Sequence, residues 1–334
     1  MKSMRLDGLG RRLFLVMGLC LVMFASACTT VPVEQVTPPL PAKVNSDPSG
    51  MVLIPSGEFS MGDPYKEGNN DEIPVHKVYV IAFYLDKYLV TGKLWKEVYV
   101  WAKTKGYQFD YPGASMAAGH PVQSVTWYDV VKWLNARSEK EGRTPVYYTD
   151  AGQTSVYRSG LVPLSHGMVR WGANGYRLPT EAEWEKAARG GLDGHHYPWP
   201  SLENKFSDHI DGSKANYADS EHHYRKGNGP ATTPVGYYNG HQSPAGADMA
   251  NGYGLYDMSG NLNQWVWDWY DSAWYGKAAA LQRDGRGPDL GFYRIVRGGS
   301  WNNGPGHLRC ATRSFYGPAD WVNGIGFRAA CSQP

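Results

Sequence analysis

Residues Arg297–Ala330, RGGSWNNGPGHLRCATRSFYGPADWVNGIGFRAA, combine two textures. Arg297-Gly298-Gly299-Ser300-Trp301 at one end and Gly324-Ile325-Gly326-Phe327-Arg328 at the other set glycine turns beside apolar residues, the pattern of buried strand ends. Between them Asn303, Gly304, Gly306, His307, Cys310, Thr312, Ser314, Phe315, Tyr316, Gly317, Asp320, Trp321 and Val322 follow neither strand nor helix periodicity, so this filling reads as loop and not as core. Loops on a rigid scaffold commonly carry recognition residues. Tyr and Trp supply contact area at small entropic cost, while Ser, Gly and Asn adapt their hydrogen bonds. An ordinary surface loop that closes the domain fits the same composition.

The chain has 334 residues, with 23 Tyr, 13 Trp, 40 Gly, 22 Pro and only 19% charged residues. That mixture describes a loop-rich globular protein in which aromatic side chains fill the gaps between irregular segments. A net charge of +2 without a Lys/Arg cluster argues against a nucleic-acid partner, because phosphate binding needs concentrated positive charge.

Lys2, Arg5, Arg11 and Arg12 precede the apolar run Leu13 to Phe24 and then Ala25-Ser26-Ala27-Cys28, the charged, apolar and small-residue order of a signal peptide over residues 1–27. The run is shorter than the ~20 residues of a membrane span. Cys28 after small residues resembles a bacterial lipobox, although Ala25 stands where Leu is usual. The resemblance implies lipidation of Cys28, a membrane contact through that lipid, and an outer-membrane or cell-surface location. Five prolines across residues 28–50 suggest a stiff tether ahead of a domain at 51–334. After Cys20 and Cys28 are set aside, Cys310 and Cys331 remain, and an exported chain leaves both a disulfide and two thiols open.

Met51 to Gly62 reads as two short strands around Pro55-Ser56-Gly57, and Lys77 to Asp86 as one more, with a polar loop over Asp63 to Glu72. Two helices are well punctuated. One runs from N-cap Thr126 to Arg137 with Trp127, Val130, Val131 and Leu134 on one face; the other carries the capping box Thr180/Glu183 and stops at Gly190-Gly191. Neither polar face gathers an acid, base or ligand set, so both read as scaffold. The long connections 143–175 and 192–250 need something to tie them down, either metal ions or aromatic packing. Trp265, Trp267 and Trp269 alternate along a further strand.

Leu53 to Gly62, Pro121 to Trp127, Tyr176 to Trp184, Gly254 to Asn261, Arg297 to Trp301 and Gly326 to Arg328 together resemble, in order, the formylglycine-generating enzyme family. The resemblance implies a single α+β domain with a C-type-lectin-like fold, loop-rich with two main helices. Enzymes of that family use a copper-loaded cysteine pair just after the Gly-Gly-Ser turn. Here that position is Trp301 to Leu308, without cysteine, and Cys310 matches a structural one. Asn and Gly cannot replace a thiolate, so this resemblance does not carry the activity with it. The metal module of the family's iron-dependent sulfoxide synthases is also missing, and His195-His196 and His222-His223 read as solvated loop histidines.

A narrower resemblance, over Arg297 to Asn302, Leu308, Arg309, Ala311, Arg313, Pro318 and Asn323 to Arg328, is to variable proteins diversified by retroelements, which rewrite adenines in Asn codons. Nearly every filling residue is reachable from AAC by changing its first two bases; Trp321 is reachable from an AGG codon. Lys, Glu, Gln and Met, which AAC cannot reach this way, are absent between Asn302 and Asn323. The resemblance implies a non-catalytic surface protein whose residues 300–328 bind a protein or cell-surface ligand. An exported enzyme with a non-cysteine centre and a periplasmic scaffold component are the alternatives. Calcium is the one cofactor implied, its family sites mapping onto Asn216 and Tyr217 and onto Asp257, Gly260, Leu262 and Gln264, with Gln264 where a Glu is usual.

Overall fold

A computed structural model describes residues 50–199, 208–222, 224 and 231–333. The signal peptide, Cys28 and the tether up to residue 49 therefore lie outside the described residues, as does His223.

The chain begins with β1 (Met51–Ile54) and β2 (Gly57–Met61), the two short strands expected around Pro55-Ser56-Gly57. They do not pair with each other. The stretch Lys77–Asp86 is not one strand but two, β3 (His76–Val80) and β4 (Phe83–Asp86), broken at Ile81-Ala82. The break lets β3 pair antiparallel with β2 while β4 pairs with β1, so a single strand could not have served both sheets. β9 (Ala330–Ser332) completes the second of these in the order β1-β4-β9.

Among the described residues three α-helices form, not two. The additional one, α1 (Gly92–Thr104), buries Trp95, Val98 and Ala102 and is capped by Thr91 Oγ1, which accepts from Leu94 N at 3.2 Å. α2 (Trp127–Lys140) begins at Thr126 as expected. α3 (Glu181–Arg189) has the reciprocal Thr180/Glu183 box and ends on Gly190 at φ 59. Its C-terminal carbonyls at Ala187 and Ala188 accept from Asn251 Nδ2 at 2.7 and 3.1 Å.

A four-stranded mixed sheet, in the order β7-β6-β5-β8, divides the interior: β5 (Asn263–Trp269), β6 (Arg294–Arg297), β7 (Ser314–Tyr316) and β8 (Ile325–Gly326). Side chains alternate across a strand, so β5 sends Trp265 and Trp267 into the core beneath α1 and α2 and Val266 into the core beneath α3; β6 does the same with Val296 and Ile295. Arg294 of β6 is fully buried, its guanidinium 3.8 Å from the centroid of Trp127 and 3.5 Å from that of Trp269. Its N–H groups reach the carbonyls of Trp267 and Leu164. Two indole faces and two carbonyls surround the guanidinium, while its Nε finds no partner among the described residues and burial pushes its pKa well down.

Aromatic packing, not metal, ties down the long 143–175 connection. Asn135 of α2, fully buried, donates to the Tyr147 and Tyr157 carbonyls at 2.8 and 3.2 Å and accepts from Val146 N and Tyr147 N at 3.0 Å. One amide thus holds the backbone of a loop whose tyrosines, Tyr147 and Tyr157, fill the core. Within the described part of 192–250, Tyr197, Trp199 and Tyr217 form a third small cluster with Leu308. No group of three or more His, Cys, Asp or Glu able to hold a metal occurs among the described residues. Cys310 and Cys331 belong to different core clusters and are not bonded to each other.

Candidate functional site

The segment after β6 has a buried half and an exposed half. Arginines tie down the buried half, Leu308 to Arg313. Arg297, fully buried, donates to the carbonyls of Cys310, Ala311 and Thr312 at 2.8, 2.9 and 2.7 Å while its other edge pairs with Glu185 of α3. Arg309 forms a fork with Glu72 at 2.8 and 2.9 Å. Gly68 leaves room for that fork, since a Cβ there would stand 2.3 Å from the Arg309 guanidinium. Arg313 grips Glu181 at 2.8 and 3.1 Å and the carbonyls of Asp71 and Asp271 at 3.0 and 3.2 Å. Planar guanidinium forks of this kind fix orientation as well as charge. The polar loop over Asp63 to Glu72 is therefore an anchor for this segment.

Two expected surface residues are lost to this arrangement. Cys310 and Thr312 are 1% and 4% exposed, because the turn they occupy is held against Arg297, and neither can meet a ligand from solvent. Cys310 N donates to the His196 carbonyl at 2.6 Å, and Thr312 Oγ1 donates to the Gly306 carbonyl at 2.9 Å. Burial pushes the Cys310 thiol up to about 12, the opposite of a reactive thiolate. Asn303, half-buried, is used in its own turn: its Oδ1 accepts from Ser300 N at 3.0 Å, Ser300 Oγ at 2.7 Å and Asn263 Nδ2 at 3.0 Å.

The other residues lie at or near the surface. Gly306 and His307 are exposed on the turn Pro305–Leu308, with Gly304 half-buried beside them. Gly317 N donates to Asp320 Oδ2 at 2.8 Å, a tight turn that presents Asp320 and Trp321 to solvent. On β7, Phe315 points outward and is 41% exposed, whereas Ser314 and Tyr316 are half-buried. Tyr316 and Val322 pack against the α1/α2 core, Tyr316 edge-on to Trp265. The exposed aromatics are thus Phe315 and Trp321, and Tyr316 is partly structural.

Each exposed ring lies on a neighbour from outside the segment. Phe315 stacks on Tyr270 with centroids 3.9 Å apart and meets Tyr293 at 5.2 Å. Trp321 stacks on Tyr111 at 4.9 Å. Beside Tyr293, Leu290 and Phe292 are 66% and 90% exposed. These flanking residues escaped the sequence reading; the apolar Leu290-Gly291-Phe292-Tyr293 run inside a polar loop was the available signal.

Several residues expected to hold calcium are engaged with protein donors. At the second set the guanidinium of fully buried Arg328 lies against these residues: its Nε donates to Gln264 Oε1 at 2.7 Å and its Nη2 reaches the Tyr256 and Asp257 carbonyls at 2.7 and 3.3 Å. Gln264 Oε1 also accepts from Trp184 Nε1 at 2.8 Å, and Gln264 Nε2 donates to the Asp257 carbonyl. The Asp257 carboxylate accepts from Gly236 N at 2.7 Å and from Asn261 Nδ2 at 3.4 Å, and burial raises its pKa. Gly260 packs against the Asn216 carbonyl, where a Cβ would come within 2.4 Å, and Leu262 is fully buried. At the first set, Asn216 Oδ1 accepts from His222 Nε2 at 2.9 Å, its carbonyl accepts from Asn261 N, and the Tyr217 carbonyl accepts from Ser220. Asn216, Tyr217, Asp257 and Gln264 thus turn oxygens toward protein donors, which compete with a hard cation for them.

Comparison with known proteins places this geometry. The chain is 31% identical to the formylglycine-generating enzyme of Thermomonospora curvata, the match covering 84% of this chain and 93% of the enzyme. It is likewise 31% identical to the serine/threonine-protein kinase pkn1 of Chlamydia pneumoniae over 84% of this chain, and spans 37% of the length of that protein. Among solved structures it resembles Treponema denticola variable protein 1, with a TM-score of 0.62 and 26% identity, covering 85% of this chain and 95% of that one. Residues 37–333 match the sulfatase-modifying factor enzyme 1-like domain, and the chain belongs to that family.

Proposed function

We propose that this chain is a surface-displayed, lipid-anchored binding protein without catalysis, whose exposed 303–322 residues are diversified by a retroelement to change ligand specificity. The observation that carries the reading is the division of one segment into two halves. Three arginines clamp its backbone from 309 to 313. The exposed side chains beyond, Phe315, Asp320 and Trp321, make no contribution to that clamp and can change without disturbing it. Where enzymes of the family carry their reactive cysteines, this chain has Trp301 to Leu308, and the nearby Cys310 is buried with its thiol pushed up. Likeness to a protein named as variable supports the same reading.

Ligand contact would centre on Phe315 and Trp321 and the flanking Tyr293 and Phe292, large rings that suit a protein or cell-surface partner. A second reading, an enzyme of the sulfatase-modifying type with a different centre, rests on the 31% identity to the Thermomonospora enzyme.

Sequencing the gene and its flanks in independent isolates separates the two. Substitutions confined to the exposed codons between 303 and 322, with a reverse transcriptase and a near-copy of this segment differing at adenines alongside, are expected. Invariance there, with aldehyde formation on a cysteine peptide incubated with the purified chain and copper, would sink the proposal.

A further inference from the structure

Away from the variable face, one surface of α1 is left open. Its residues Trp95, Tyr99 and Val100 face the chain segment Pro112 to Ser115 across a chamber of about 290 Å³. Val122 closes the floor, and both Trp95 and Val122 are nearly buried, so the chamber runs down to the core. Gly92, Lys96, Val100 and Ser115 also border an outer hollow of about 660 Å³, which Lys93, Glu97, Ala117 and Ala118 complete. The shared residues make the two one continuous cleft, within the size range of small-ligand sites.

The walls are mostly apolar, with the side chains of Lys96, Tyr99 and Ser115 as the polar groups on them. Trp95 Nε1 donates to the Pro112 carbonyl at 2.7 Å. The first N–H groups of α1 are also taken, Gly92 N by the His120 carbonyl, Lys93 N by that of Ala118 and Leu94 N by Thr91 Oγ1. Beside Trp95 and Val122 the inner chamber therefore favours an apolar body, since a polar group left unpaired there would be penalised.

Charge at the mouth is one-sided. Glu97 is held by Lys140 Nζ at 2.7 Å, a hydrogen bond that keeps its carboxyl below the usual range, so this pair cancels itself. Lys93 and Lys96, both exposed, have no ion-pair partner among the described residues. Lys93 also acts on Glu97, so the rim sets Lys93 and Lys96 beside a carboxylate already held by Lys140, an excess of positive charge that matches a ligand with an apolar body and one negative end.

We propose that this cleft binds a small amphipathic carboxylate, with an acyl or aryl body in the chamber beside Trp95 and Val122 and the carboxylate against Lys93 and Lys96. The proposal goes beyond the role of the variable face and does not rest on it. Pro112 follows Tyr111, on which Trp321 stacks, so the cleft abuts the variable face through one turn of constant chain.

Titration of the full chain with octanoate and with 1-octanol, followed by calorimetry, tests it. Octanoate is expected to bind at one site per chain, more tightly than octanol. The double variant K93Q/K96Q, at exposed positions, should weaken octanoate about fivefold and leave octanol unchanged. Val100→Trp, also at an exposed helical position, should fill the mouth and abolish both. Equal affinity for octanol, octanoate binding indifferent to the lysines or to Val100→Trp, or no binding of octanoate at millimolar concentration would each overturn the proposal.

Discussion

The indole of Trp321 lies on the phenol ring of Tyr111, with centroids 4.9 Å apart and planes 23° apart. Tyr111 is itself held from below: its N–H and that of Asp110 donate to the buried Asp129 carboxylate at 3.1 and 3.0 Å. Asp129 stands in the first turn of α2, so a residue outside the 303–322 segment, fixed to a helix, forms the platform for an exposed ring inside it. Tyr270 does the same for Phe315 from the end of β5. Rings supported this way lose little freedom on binding, which favours affinity without a dedicated pocket.

Exposed and half-buried aromatics of the same segment should separate in a stability measurement. Trp321→Ala and Phe315→Ala are expected to cost under about 1 kcal/mol each in urea unfolding, the scale of one exposed stacked pair. Tyr316→Ala should cost about 2 kcal/mol, because its ring packs on the core beside Trp265. Equal losses at Trp321 and Tyr316 would mean that Trp321 is structural.

The arginine clamp makes a second prediction. Arg297→Met strands the carbonyls of Cys310, Ala311 and Thr312 and removes one partner of Glu185, and should destabilise by about 3–5 kcal/mol. Arg297→Lys should recover only a small part, since one ammonium cannot replace the fork. If Arg297→Met unfolds at the wild-type urea midpoint, the segment is held by other contacts.

Asp268 supplies a pH dependence. Its Oδ2 accepts from Glu181 N at 2.7 Å at the start of α3, and burial, helped by the Glu181 carboxylate, pushes its pKa up to about 8. An unfolded aspartate titrates near ~3.9, so between about pH 4 and 8 the folded chain holds a proton that the unfolded chain does not. The stability linked to that proton is full below about pH 4 and is lost as pH rises through 8. Asp268→Asn cannot ionise; its stability relative to wild type should improve steadily from pH 5 to pH 9. A difference independent of pH over that range would show that Asp268 is already charged in the fold.

Much of the scaffold was legible because its signals are local. Thr126 and the Thr180/Glu183 box mark helix starts through bonds within one turn, and the tryptophans of β5 announce a buried strand by alternation. α1 was overlooked although Leu94, Trp95, Val98 and Ala102 carry helical spacing, because its start follows a strand with no sharp break in composition. Lys77 to Asp86 reads as one strand since nothing in its apolar run says that the two halves join different sheets. Among site residues, Phe315 and Trp321 could be picked out as aromatics in an aperiodic stretch. Tyr111, Tyr270 and Phe292 could not, as their membership of the same surface depends on chain brought in from afar.

By itself the sequence determined the family order of motifs, the capped helices, the aperiodic segment between two glycine-flanked ends, and a stretch from Trp301 to Leu308 without cysteine. All of these depend on residue identity and near-neighbour spacing. Tertiary structure alone decided which members of that segment face water. Cys310 and Thr312 are enclosed because Arg297, Arg309 and Arg313 find carboxylates and carbonyls on distant elements, and Arg328 reaches Gln264 for the same reason. A guanidinium can satisfy its five donors in many ways, and only the packed chain selects one.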